Sequence, residues 1–391
     1  MNTDQHGKLN PRLLVWGIFL MAVALAAVFL KTGIGVRPPS DRGLTPDTNE
    51  ESAYSEPEPL KILFGGDIFL DRSIRRQIEA NNVDYPWVNI QDFLKSYKYK
   101  VANLEGPIWD RPQAAPTGSF SFAFQEGYVR KLKDLGFTVL SLANNHTLNQ
   151  GQKGLENSRR FLQELGINYF GDPNNEAEFS YTTFVYANEE LLPELEYSSS
   201  DPSASAEGES RSSLRQSADR TIKMVLVGEH DLVTINQAAI LQKITELDFQ
   251  GYFVVVYPHW GPEYVLTIPK IEQDRAHALI DAGADLIIGA HPHVVQPVEI
   301  YKGGVILYSL GNFLFDQGFS YDTMHGLLVE ATFEDAGIKF VLYPTEQNKT
   351  FQVSLAPNEA RTKMLERIVK DSLVSDEMRQ SIKSGEFFVS Y

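Results

Sequence analysis

The sequence predicts an α/β fold, and three observations point to it. Short apolar runs bounded by Gly, Asn and Pro alternate with helix-like segments, the pattern of buried strands joined by helices. Two of those segments stop at a glycine, the residue that most easily takes the left-handed conformation closing a helix. Polar residues of chemical interest fall immediately after the expected strands, where open α/β sheets gather their ligands.

Residues 1–12 form a short tail carrying Lys8 and Arg12, and residues 13–30 follow without a charge. As a helix the uncharged run would extend about 27 Å, close to the roughly 30 Å of a bilayer's hydrocarbon core. It is longer than the apolar core of a cleaved signal peptide, and its Ala24-Leu25-Ala26 triplet lies inside rather than after it. An uncleaved, single-pass signal anchor is therefore expected. Residues 31–59, rich in Pro, Ser, Asp, Glu and Thr with no apolar periodicity, read as a disordered linker. Strands are expected at 62–64, 138–143, 252–257, 286–288 and 305–310, and helices at 158–165 and 269–282, closing at Gly166 and Gly283. Two strand-like segments, 181–186 and 222–227, flank residues 197–220, a stretch of Ser, Asp, Glu and Ala that cannot bury a core and reads as a disordered insertion in a hairpin. One domain is thus expected over 60–345, with 346–391 a helical tail holding a helix near 359–371 and an aromatic end, Phe387-Phe388.

Hydrophobic residues make up 43% of the 391, enough for a sizeable core, and the formal net charge is -16. So acidic a surface argues against nucleic acid as the main partner, because phosphate binding draws on clustered Lys and Arg. The chain has no cysteine, which excludes disulfides, thiolate metal sites and cysteine nucleophiles together. Any metal must be held by His, Asp, Glu or Asn.

Five strand ends carry such residues. Gly65-Gly66-Asp67 follows the first, with a glycine pair that permits a tight turn, where a lone Asp is ordinarily a cap. Asn103-Leu104-Glu105-Gly106-Pro107 sets a carboxylate before a backbone breaker, and Ala143-Asn144-Asn145-His146 puts two amides and an imidazole after an apolar strand. His259-Trp260-Gly261-Pro262-Glu263-Tyr264 follows a β-branched run. In Gly289-Ala290-His291-Pro292-His293 the two histidines, at i and i+2 of a segment expected to be extended, should lie on one side, as ligation from one face needs. Each motif alone has an ordinary structural explanation. Together they form a nitrogen and oxygen ligand set suited to one or two divalent ions of Zn, Mn, Fe or Mg, which can activate water and stabilise phosphoryl oxygens. His6, His230, His277 and His325 have no ligand neighbour in sequence and are expected to be structural or exposed.

The order GGD, NLEGP, ANNH, HWGPEY, GAHPHVVQPVE and YSLGNF resembles the CapA, or PGA-cap, family of poly-γ-glutamate capsule synthesis proteins. That family is similar to calcineurin-like metallophosphoesterases, which implies a four-layer α/β/β/α sandwich with a metal cleft at the loop ends. By position, the resemblance implies that Asp67, Glu105, Asn145, His259, His291 and His293 face the metal ions, with Glu105 where the wider superfamily uses a bridging Asp. His146 would stand beside the ions as proton donor or substrate contact. Arg72 is a candidate anion clamp, and Asn312 and Glu263 are expected behind the ligands or against substrate. One departure stands out: phosphoesterases of this fold generally begin Asp-x-His, whereas Phe69 follows Asp67 here, so that imidazole is absent. Glu105, Asn145, His259 and His291 are therefore expected to hold the better-occupied ion, and Asp67 and His293 a weaker one. The resemblance implies a membrane-anchored, extracytoplasmic component of poly-γ-glutamate synthesis or export, partnered by the membrane, the polymer and other capsule-synthesis subunits. The residue set also fits an extracytoplasmic metal-dependent phosphoester hydrolase unrelated to the polymer.

Overall fold

The central strands are apolar on both faces, which requires a packed layer on each side of them. The computed structural model describes residues 58–391 apart from 112, 177, 179, 188–189, 194–220 and 233–235. The expected anchor at 13–30, nearly all of the linker and the insertion at 197–220 lie outside the described residues. Among the described residues no helix is long and apolar enough to cross a membrane.

The chain begins with β1 (Leu60–Ile68), α1 (Arg72–Ala80), α2 (Gln91–Lys95), β2 (Tyr99–Leu104), α3 (Glu126–Asp134), β3 (Val139–Ser141), α4 (Gly151–Leu165) and β4 (Asn168–Phe170). There follow β5 (Tyr181–Ala187), β6 (Glu190–Pro193), β7 (Ile222–His230), α5 (Gln237–Phe249), β8 (Phe253–His259), α6 (Lys270–Ala282) and β9 (Leu286–Ile288). The remainder comprises β10 (Val298–Tyr301), β11 (Gly304–Leu307), β12 (Asn312–Leu314), β13 (His325–Glu334), β14 (Gly337–Gln347), β15 (Val353–Leu355), α7 (Asn358–Asp371), α8 (Asp376–Ser384) and β16 (Glu386–Ser390).

The first sheet runs β15-β14-β13-β1-β2-β3-β4, with β12 beside the end of β1 and β16 beside β14. Its strands β1 to β4 are parallel, whereas β13 and β14 fold back antiparallel. The second sheet runs β10-β11-β9-β8-β7-β5-β6, with β7, β8, β9 and β11 parallel. Period-two alternation decides what each face meets. Ile62 and Phe64 of β1, Val101 of β2, Leu226 of β7 and Val255 of β8 share one apolar cluster between the sheets. Leu63 and Ala102 instead pack with Ile74, Leu132 and Leu155 of α1, α3 and α4. Val254 and Val256 pack with Ile240 and Leu279 of α5 and α6. Among the described residues the outcome is a mixed α/β sandwich of two sheets and eight helices, in which each fully buried Val, Leu or Phe contributes about 1.5–3 kcal/mol.

Both expected glycine stops are present: α4 closes at Gly166 with φ 63° and α6 at Gly283 with φ 121°. The segment expected as a tail beyond 345 is built into the sandwich instead. Strand β14 runs on to Gln347, β16 pairs with it, and Met364, Leu365 and Ile368 of α7 with Ile382 of α8 join the inter-sheet cluster. The reason is the apolar face of β14, where Ile338, Phe340 and Leu342 enter that same cluster and are covered by these residues. Two glycines let backbones meet where the site loops begin: a Cβ on Gly66 would collide with Gly311 O, and one on Gly289 with Tyr308 O.

Candidate metal centre

The parallel strands of both sheets deliver their last residues to one cleft. Asp67, near the end of β1, is fully buried and fixed on both oxygens: Asn103 Nδ2 donates to Oδ1 at 2.8 Å and the His291 amide to Oδ2 at 3.2 Å. Glu105 follows β2, its amide donating to Ile68 O at 3.0 Å, and Gly106, with φ 151°, turns the chain away behind it. Both Glu105 carboxylate oxygens are buried and, among the described residues, no donor reaches either. Burial, and then the Asp67 charge, pushes this carboxyl well above the usual carboxylate range.

Imidazoles come from the second sheet. His259, the last residue of β8, turns Nδ1 to Asn103 Nδ2 at 3.3 Å, while its Nε2 lies 3.0 Å from both Asn145 Oδ1 and His291 Nδ1. His291 and His293 do not sit on an extended segment as expected. They take left-handed φ values of 93° and 57° around Pro292, and this tight turn, which residue types alone do not announce, brings both rings to the cleft. His293 Nδ1 donates to Asn312 Oδ1 at 2.9 Å, since both Asn312 amide hydrogens go to Gln317 Oε1 and Thr323 O. That leaves His293 Nε2 as a lone pair 3.7 Å from Glu105. Burial lowers the ring pKa of His259 well below the usual value and that of His291 to about 4, so both rings are neutral at neutral pH.

The remaining candidates are spread around this core. Asn145 is exposed, whereas its neighbour Asn144 is buried and structural, donating to Asn103 Oδ1 and Leu104 O. His146 lies on the Phe122 ring at 4.1 Å, donates from Nδ1 to Asn149 Oδ1 at 3.2 Å and turns Nε2 to Glu105 at 3.9 Å. Burial holds its pKa at about 4. Arg72 stacks over Phe69 at 4.6 Å and pairs with Asp316, so its charge is already matched by a buried carboxylate. Glu263 is exposed, with its carboxylate close to His291 and His293. Sequence reasoning passed over Asn103, Asp316, Gln317 and Phe122, although Asn103 lay inside a quoted motif.

A buried carboxylate with no donor, close to the imidazoles of His146, His259 and His293, fits a divalent cation, and the nitrogen and oxygen donors fit Zn, Mn, Fe or Mg. Asp67, Glu105 and His259 offer atoms all within 4.8 Å of one another. Residues 61–317, which contain every one of these motifs, match the family described as bacterial capsule synthesis protein PGA_cap. The chain belongs to this family. Among PGA_cap-related proteins, the capsule biosynthesis protein CapA of Bacillus anthracis is 29% identical over 341 residues, covering 84% of this chain and 74% of the relative. The PGA biosynthesis protein CapA of Bacillus subtilis (strain 168) is 27% identical over 335 residues, covering 83% and 82%. A probable polyglutamine synthesis accessory protein of Mycobacterium tuberculosis is 26% identical over 295 residues, covering 66% and 75%.

Proposed function

We propose that this PGA_cap chain is a membrane-anchored protein of poly-γ-glutamate capsule synthesis or export that works through a metal-binding, phosphoesterase-like cleft on the extracytoplasmic side. One observation carries the metal: the Glu105 carboxylate, buried without a donor among imidazoles. The capsule role is drawn from the names of the two CapA relatives, and the anchor from the uncharged run at 13–30. Helices outside two face-packed sheets support the four-layer, metallophosphoesterase-like reading.

Glu105, Asn145, His259 and His291 would hold the better-occupied ion, and Asp67 and His293 a second. A bound divalent ion supplies Lewis acidity and a water of lowered pKa. The chain's own part is to hold Asp67 by two hydrogen bonds, to keep His259 and His291 neutral by burial, and to aim His293 through Asn312. His146, its Nδ1 committed to Asn149, exchanges a proton with substrate at Nε2. With a net charge of -16, the surface repels a long polyanion, so contact with polyglutamate is confined to the cleft and to the capsule-synthesis partners that deliver it. The His146 geometry also favours a second reading, a phosphoester hydrolase unrelated to the polymer.

Elemental analysis of the full-length chain tests the centre. His259→Ala and His291→Ala should each lose most of the metal while keeping the far-UV circular dichroism of the wild type; metal retained in both removes the site. His146→Ala should keep its metal and, in a hydrolase, lose about 10²- to 10⁴-fold in turnover. A metal-loaded wild type inert on every phosphoester tried would exclude the hydrolase reading and leave the assembly role.

A further inference from the structure

We propose that Glu263 is a metal ligand, completing with His293 a second cation position at the mouth of the cleft. This rests on the metal-centre reading above and adds a residue to it. Phe69, two residues beyond Asp67, offers no donor atom, and its ring is packed among Phe122, Phe124 and Phe315. The Asp67 and His293 side of the cleft is thereby short of a ligand. Glu263 stands where one is needed: its carboxylate and one ring nitrogen from each of His291 and His293 lie within 4.8 Å of one another, and this group shares no residue with Asp67, Glu105 and His259. His291 already turns Nδ1 to His259, whereas His293 keeps Nε2 open and lies 3.5 Å from Asp67 through Nδ1. The second position therefore belongs to His293 and Glu263, with Asp67 or Glu105 behind them.

The turn that carries Glu263 is locked to His293 in two independent ways. Its next residue, Tyr264, has φ 66° and donates its amide to Pro292 O at 2.8 Å, joining the turn to the backbone between the two histidines. On the side-chain side, His293 Nδ1 donates to Asn312, Asn312 Nδ2 to Gln317 Oε1 at 3.0 Å, and Gln317 Nε2 to the Tyr264 hydroxyl at 3.2 Å. This relay fixes the ring and the turn relative to one another, as a shared ligand site requires and a solvated carboxylate does not. The chemistry is consistent too. Two divalent ions would outweigh the carboxylates of Asp67, Glu105 and Glu263, so an anionic substrate is still attracted. Because Glu263 is exposed and Glu105 is buried, the outer ion exchanges with solvent more readily than the inner one.

Mn(II) is the probe, added to the metal-stripped full-length chain. Wild type should take up two equivalents and show the exchange-coupled paramagnetic resonance of paired ions. Glu263→Gln should take up one and show isolated Mn(II), while Tyr264→Phe, which cuts the relay, should keep two and bind the second several-fold more weakly. His259→Ala should lose the inner ion. Two coupled ions in Glu263→Gln, or a wild type that holds a single ion untouched by Glu263→Gln, overturns the proposal while sparing the centre. A wild type that binds none, with His259→Ala indistinguishable from it, overturns both.

Discussion

The two sheets bring different chemistry to the same cleft. The first supplies oxygen and amide: Asp67 from β1, Asn103 from β2 and Glu105 just after it, Asn144 and Asn145 after β3, and Asn312 from β12. The second supplies imidazole, His259 from β8 and His291 and His293 after β9. The group of Asp67, Glu105 and His259 takes its members from both sheets, whereas Glu263, His291 and His293 all follow strands of the second. The first group exists only in the sheet-to-sheet alignment that the apolar cluster between them fixes, and an ion bound there would bind the sheets to each other.

The largest effect that can break this picture comes from one strand's two faces. Phe64→Ala, on the face of β1 that meets the second sheet, should cost about 3–5 kcal/mol and also weaken metal binding, because it loosens the alignment. Leu63→Ala, on the face that meets α1 and α4, should cost about 2–5 kcal/mol and leave metal affinity alone. Denaturant unfolding with metal titration on both variants checks this; equal losses of affinity would show that the sheets do not set the site. A smaller effect follows from removing the ion. A saturating metal at about 100 times its Kd should stabilise the fold by about 2.7 kcal/mol, lost on chelation and absent in His259→Ala. A melting temperature indifferent to chelator would end the claim that metal joins the sheets. The smallest effect sharpens the division of labour: Asn312→Ala removes a first-sheet amide that aims a second-sheet ring, and should lower metal affinity by about 10- to 100-fold with the fold intact. Calorimetric titration measures it, and an unchanged affinity would mean that His293 is oriented without Asn312.

Much of this was legible in the sequence because both sheets announce their inner strands in the same way, an apolar run followed at once by polar residues. Asp67, Glu105, His259, His291 and His293 all stood at such ends, and the cleft brings them together. What could not be read is what depends on distant partners. Asn312 meets His293 across the β10–β11 hairpin, Asp316 meets Arg72 across most of the chain, and no local pattern marks either pair. The left-handed turns at His291 and His293 were also hidden, since histidine gives no warning of a positive φ. The C-terminal segment was misread for a third reason. Glu386–Ser390 is a five-residue strand remote in sequence from its partner, and its Phe387 becomes core only because β14 offers a strand edge to pair with.

Strand β1 also sets a direction for the molecule. Its first residues lie where the Tyr186 hydroxyl donates to Glu58 O, and Asp67 stands toward its other end, roughly 23 Å along at about 3.3 Å per residue. The chain therefore enters the sandwich at the end away from its candidate centre, and it must run nearly the whole of β1 before it reaches Asp67.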